Sequence, residues 1–214
     1  MRVAIAGGHG QIALRLAKVL SQRGDEVIGL IRNPDHTDDV RQAGAEPVVV
    51  DLENASDADV AQAIAGSDAV VFSAGAGPGS GSARKETMDY GGAVKLIAAA
   101  EQAGVRRYVI VSSMGANADT PGEDTFSVYL RAKGRADDAV RASGLDATVV
   151  RPGSLTNDAG TGRVRLGGNL PGGRVTRDDV AAVLAAVLEA PNTIGKTVDL
   201  IGGDMPIAEA VRAI

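Results

Sequence analysis

In the stretch "YLRAK", Tyr129 and Lys133 are a phenol and an ammonium four positions apart, so one face of a helix would carry both. A phenol, with a pKa near about 10, needs a neighbouring cation to exchange protons near neutral pH. The same spacing occurs on amphipathic helices whose polar side chains simply face solvent. The pair is therefore either a proton-transfer unit or a piece of surface, and the elements around it decide.

A second chemically suggestive stretch is "AGGHGQIALRLA", which follows the first short apolar run. Its glycines fall where a strand must turn sharply into a helix. Glycine lets the backbone approach a pyrophosphate, whose charge is then held by free N–H groups and the positive helix end. Gly7, Gly8, His9, Gly10, Gln11 and Ile12 are thus the expected dinucleotide contacts. About twenty residues on, where Asp or Glu commonly meets the ribose hydroxyls of NAD, "GLIRNP" offers Arg32. An arginine there suits the 2′-phosphate of NADP. Asp51 and Leu52, in "VVVDLEN", stand to meet an adenine ring, with Asp51 equally able to cap the next segment. Ser73, Ala74 and Gly75, in "VVFSAGAG", are small enough to let the middle of a cofactor pass close to the backbone.

The elements that must position these residues alternate along the chain. Strand-like runs at 2–6, 26–31, 46–50, 68–73, 107–113 and 146–150 are separated by segments of helical period. Several runs are almost continuously apolar, as strands covered on both faces are. This predicts a single α/β domain over 1–214, a doubly wound parallel sheet. Glycines in "SQRGDEV" and "EQAGVRR" are expected to end helices in left-handed geometry. The glycine- and serine-rich stretch 73–86 is expected as a loop at the C-terminal edge of the sheet. Beyond Arg151 the pattern loosens over 152–175, a small C-terminal substrate-facing loop region. It then resumes as a helix capped by Thr176 and a last strand in "GKTVDLIGG".

Composition narrows the partners. The 214 residues carry a net charge of -5 and only 2% aromatics, which argues against gripping or stacking nucleic acid. There are no cysteines and two histidines, which leaves no thiolate metal site and no histidine-rich metal cluster. The N-terminal apolar run breaks into glycines too early for a signal-peptide core, and no run approaches the ~20 residues of a membrane span. A cytoplasmic protein binding a small molecule is expected, as a monomer or homodimer.

A G-x-x-G turn, a strand ending in "SAG", a "VIVSS" strand, a Tyr-x-x-x-Lys helix and "VVRPG" follow in an order that resembles the short-chain dehydrogenase/reductase superfamily across the whole chain. The chain is most similar to its atypical, short, NADP-binding members of the epimerase/dehydratase type, near the NmrA-like proteins. The resemblance implies a Rossmann fold and a nicotinamide cofactor, NADP in preference to NAD. It implies that Ser113 orients a substrate carbonyl, with Ser112 the lesser candidate, that Tyr129 exchanges a proton with the substrate oxygen, and that Lys133 lowers the phenol's pKa and binds the nicotinamide ribose. It also implies that the backbone of Pro152, Gly153, Ser154 and Leu155 passes the nicotinamide, whereas Arg151 reads as a structural ion-pair partner. Two positions depart from the family: Asp89 stands where an asparagine assists the proton relay, and Ala13 replaces the third glycine. The implied activity is an oxidoreductase acting on a small carbonyl or alcohol, since no large substrate lobe follows. An NADPH-sensing regulator without turnover, and a flavin- or quinone-reductase-like enzyme, are the alternatives.

Overall fold

The computed structural model describes residues 1–77 and 79–214, so Pro78, within the expected loop at 73–86, lies outside the described residues. Six strands, β1 (Arg2–Ala6), β2 (Glu26–Ile31), β3 (Glu46–Val49), β4 (Ala69–Phe72), β5 (Arg107–Val111) and β6 (Asp146–Pro152), coincide with the apolar runs of the sequence. Beyond them lie β7 (Ser154–Thr156), β8 (Arg163–Gly167), β9 (Arg174–Thr176), β10 (Thr197–Gly202) and β11 (Met205–Pro206). Nine of these form one sheet in the order β11-β8-β10-β6-β5-β4-β1-β2-β3, and β7 pairs with β9 beside it. The sheet is parallel from β3 to β10 and antiparallel only at the β8 edge.

The helices are α1 (Gln11–Arg23), α2 (Thr37–Gln42), α3 (Asp57–Ala63), α4 (Ser82–Arg84), α5 (Ala93–Ala103), α6 (Thr125–Ala142), α7 (Arg177–Leu188) and α8 (Ile207–Arg212). They cover both faces of the sheet, and the strand residues divide accordingly. Val3 and Ile5 of β1 pack with Leu16 of α1 and Leu184 of α7, whereas Ala4 and Ala6 pack with Val60 of α3 and Leu96 of α5. This is period-two alternation with both faces apolar, which is why the strands read as unbroken hydrophobic runs. Gly24 and Gly104 end α1 and α5 in left-handed geometry, and Thr176 accepts from the Asp179 N–H to cap α7.

The stretch 152–175 is more regular than its loose pattern suggests. Within it β8 extends the sheet antiparallel to β10, with Val164 fully buried and Arg163 and Arg165 exposed.

One helix crossing matters for the site. An added Cβ at Gly134 of α6 would sit 2.2 Å from the backbone of Asn117 and Ala118. Backbone cannot yield as a flexible side chain can, so α6 is seated against this loop by the missing Cβ. Gly134→Ala is expected to cost about 1–3 kcal/mol of unfolding free energy through overpacking, read from urea unfolding. An unchanged midpoint would show that the loop moves freely.

Candidate functional site

At the break between β1 and β4 the crossovers run in opposite directions, leaving a crevice above the strand ends. The β1–α1 turn forms its floor. Gly7 has φ +79°, and an added Cβ there would lie 2.7 Å from the Ala74 Cα. The N–H of Gly10 donates to the Gly7 carbonyl at 2.8 Å, which closes the turn. Gly10 caps α1 without a side chain, and no acid stands in the first helical turn. The first-turn amides of α1 therefore meet no side-chain acceptor, unlike those of α3, α6 and α7, which Ser56, Asp124 and Thr176 cap. An uncapped helix start beneath a crevice is the donor set a diphosphate requires.

To one side lies a cavity of about 490 Å³. Gly7, His9 and Gly10 line it, as do Arg32 at the end of β2, Asp51 and Leu52 after β3, and Ser73 to Gly75 after β4. Arg32 is about half exposed, and its Nη1 lies 3.3 Å from Glu53 Oε2. Glu53 is also held by Arg84 at 3.0 Å and Thr87 at 2.7 Å. Burial pushes the Glu53 carboxyl up, but the hydrogen bonds from Thr87 and Arg84 outweigh it and hold the group below its ordinary range. Asp51 lines the cavity and also caps locally, accepting from the Glu53 N–H and the Asn54 amide at 3.0 and 2.8 Å.

Sequence reasoning missed His36, Asn33 and Arg84 on this wall. The His36 ring stacks on His9 with centroids 3.6 Å apart, and His9 Nε2 meets Asp39 at 2.8 Å. The signal for Arg84 was the pair of cations in "SARKE", directly after the glycine-rich stretch.

On the other side a cavity of about 520 Å³ shares Gly10 and the 73–77 segment with the first, so the two form one continuous groove. Gln11, Ile12, Ser113, Tyr129, Lys133, Asp89, Pro152, Gly153 and Leu155 line it. Two expected contacts line neither cavity. Gly8 serves packing: an added Cβ would fall 2.7 Å from the Gly29 Cα, and its N–H donates to the Leu30 carbonyl. Ser154 turns into β7, where its N–H meets the Gly173 carbonyl.

Helix α6 starts at Thr125 because Asp124 accepts from the Phe126 and Ser127 N–H groups, and this start brings Tyr129 and Lys133 together onto the groove. Lys133 is buried. Its Nζ donates to the Val111 carbonyl at 3.1 Å and lies 3.3 Å from Asp89 Oδ1 and 6.0 Å from the centroid of the Tyr129 ring. Asp89 is 1% exposed and accepts from the Ala76 N–H at 3.1 Å, which ties the ammonium to the loop after β4. A π-helical turn, Lys85–Gly92, presents Asp89; such turns recur where a helix must re-aim a functional side chain. The Ser113 hydroxyl donates to the Met114 carbonyl at 3.2 Å, whereas the Ser112 hydroxyl is buried. Arg151 lies 2.7 Å from the fully buried Asp137, the ion pair expected of it. Burial pushes the Asp137 carboxyl up, against the pull of the Ser112 hydroxyl and of that guanidinium.

Among the described residues no group of three or more His, Cys, Asp or Glu could hold a metal ion, and no helix is long and apolar enough to cross a membrane.

Comparison with known proteins agrees with this geometry. Residues 7–191 match a family described as NAD(P)H-binding. The Bacillus subtilis protein YhfK, by name an uncharacterized sugar epimerase, is 37% identical over the full length of both chains. A Bacillus halodurans protein, provisionally classed as an NAD-dependent epimerase/dehydratase, superposes with a TM-score of 0.92 at 38% identity, covering 100% of each chain. The Escherichia coli O157:H7 anaerobilin reductase ChuY superposes with a TM-score of 0.80 at 25% identity, over 96% of this chain and 98% of its own.

Proposed function

From the premise that this chain belongs to the NAD(P)H-binding family, as an oxidoreductase or epimerase-like enzyme, we propose that it is an NADPH-dependent reductase of a small carbonyl compound, with Tyr129 as the proton donor. The observation that carries the reading is the groove itself. Its middle is an uncapped helix start suited to a diphosphate, and one end holds a phenol beside a buried ammonium.

Bound at this end, the nicotinamide would supply hydride to the carbonyl carbon. Tyr129 gives its phenolic proton to the carbonyl oxygen, so the product is the alcohol and the side chain is left as phenolate until solvent reprotonates it. The Lys133 ammonium favours that phenolate, and the Ser113 hydroxyl, turning from the Met114 carbonyl, donates to the same oxygen. The test is loss of absorbance at 340 nm with NADPH and a panel of aldehydes and ketones. A protein that binds NADPH and turns over none of them, while reducing free flavin or quinone, would refute carbonyl reduction.

At the other end of the groove, Arg32 is the group proposed to read the 2′-phosphate of NADPH. One charge-assisted contact at a half-exposed site corresponds to about tenfold in affinity. Arg32→Ala is expected to weaken NADPH binding by about that factor and to leave NADH binding unchanged, read by fluorescence titration of each. Equal loss for both coenzymes would remove the phosphate assignment.

A further inference from the structure

The second cavity holds more positive charge than the proposed reaction needs. Its ionised lining residues are Lys85, Asp89, Lys133 and Arg177. Asp89 and Lys133 neutralise each other at 3.3 Å, which leaves Lys85 and Arg177. Neither has a carboxylate partner among the described residues. The acids beside them in sequence are already taken, Glu86 by Arg135 at 2.5 Å and Asp178 by Arg15 at 2.7 Å. Lys85 instead donates to the Gly77 carbonyl and stands 5.6 Å from the centroid of the Tyr129 ring, and Arg177 donates to the Asn157 side chain. Both are partly buried, in a chain whose net charge is -5. Two unneutralised cations facing one cavity of an acidic protein form a local positive field that selects anions.

The same cavity carries an apolar surface. Phe126, one of only two phenylalanines in the chain, is 64% exposed, with its ring centroid 6.1 Å from that of Tyr129, and Leu155 is 38% exposed. Large apolar side chains left open beside a polar site offer contact to a flat or greasy ligand body.

We infer that the substrate is a carbonyl compound whose apolar body rests on Phe126 and Leu155 and which bears an anionic group read by Lys85 and Arg177. This rests on the proposed assignment of the groove to cofactor and substrate. Lys85 lies at the phenol end. Arg177 opens α7, which packs along α1 near the diphosphate site, so its contact must be separated from a cofactor contact.

The probes are 4-formylbenzoate and its methyl ester, which share ring and aldehyde and differ in charge, with 4-formylphenyl phosphate to distinguish phosphate from carboxylate recognition. Binding is measured by calorimetry to protein saturated with NADP+, where no reduction can occur. The charged probes are expected to bind about tenfold more tightly than the ester, by an amount that shrinks between 50 mM and 500 mM salt. The K85M/R177M double variant is expected to abolish the preference while its affinity for NADP+ and for the ester stays the same. Equal binding of ester and anions overturns the inference, as does a preference that survives in the double variant. If R177M instead loses NADP+ affinity with the preference intact, the cation belongs to the cofactor and the inference also falls. NADPH oxidation with the same probes is read separately. Charge-selective binding without oxidation would sink the reductase reading and leave the anion site standing.

Discussion

Tyr129→Phe is expected to lower kcat for carbonyl reduction by about 10²- to 10⁴-fold, the range that a single positioned proton donor contributes. Removing one oxygen leaves the ring where it is, packed beside Phe126 and under the Lys85 ammonium. The side chain is only partly buried, and its hydroxyl is bonded to no protein group among the described residues, so folding loses little. NADPH affinity should also be unchanged, since the phenol lies at the far end of the groove from Arg32. The expected signature is therefore a fall in kcat with Kd for NADPH and the urea midpoint both preserved. Activity within threefold of the parent, on a compound the parent reduces, would mean that the proton comes from elsewhere. Water or the Ser113 hydroxyl would then be the candidate.

The sheet could be read from the chain because its middle strands are covered on both faces, so runs such as Val70 to Phe72 and Val109 to Val111 carry no polar interruption. The start of α6 also carries a local signal, Asp124 ahead of "TFSVY", but that cap was not among the expectations from the sequence. Strand β8 was hidden by its place at the edge. In "RVRLG" only Val164 is fully buried, and flanking glycines mask an alternation that did indicate a half-exposed strand.

The site divided along similar lines. Turn glycines and the Tyr-x-x-x-Lys spacing are local patterns and could be seen. The contact of Asp89 with Lys133 joins residues 44 positions apart through a π-helical turn that no periodicity announces. Gly8 looked like a phosphate contact because the motif contains it, and only the three-dimensional approach of β1 to Gly29 shows its packing role. The cations at 85 and 177 belong to different elements, and nothing in either stretch tells that they share a cavity.

That buried ion pair leads to the other large effect. With side chains 5% and 2% exposed, Lys133 and Asp89 each sit where an unpaired charge is strongly disfavoured. Lys133→Met is expected to cost about 3–5 kcal/mol of unfolding free energy, because it strands the Asp89 carboxylate. Asp89→Asn should cost a similar amount by stranding the ammonium, although the amide oxygen can still accept from the Ala76 N–H. The D89N/K133M double variant removes both charges together and should recover most of the loss, so urea unfolding of the four proteins would give a large coupling energy.

Activity separates the two roles of the lysine. The double variant should fold and bind NADPH yet reduce carbonyls well below the parent's rate, because only the Lys85 ammonium, 5.6 Å from the ring centroid, then favours the phenolate. The Asp89→Asn single variant should keep its kcat per folded molecule or raise it, since the carboxylate that partly cancels the ammonium's field at Tyr129 is gone. If Asp89→Asn instead falls to the level of the double variant while remaining folded at the assay temperature, the carboxylate takes a direct part in proton transfer.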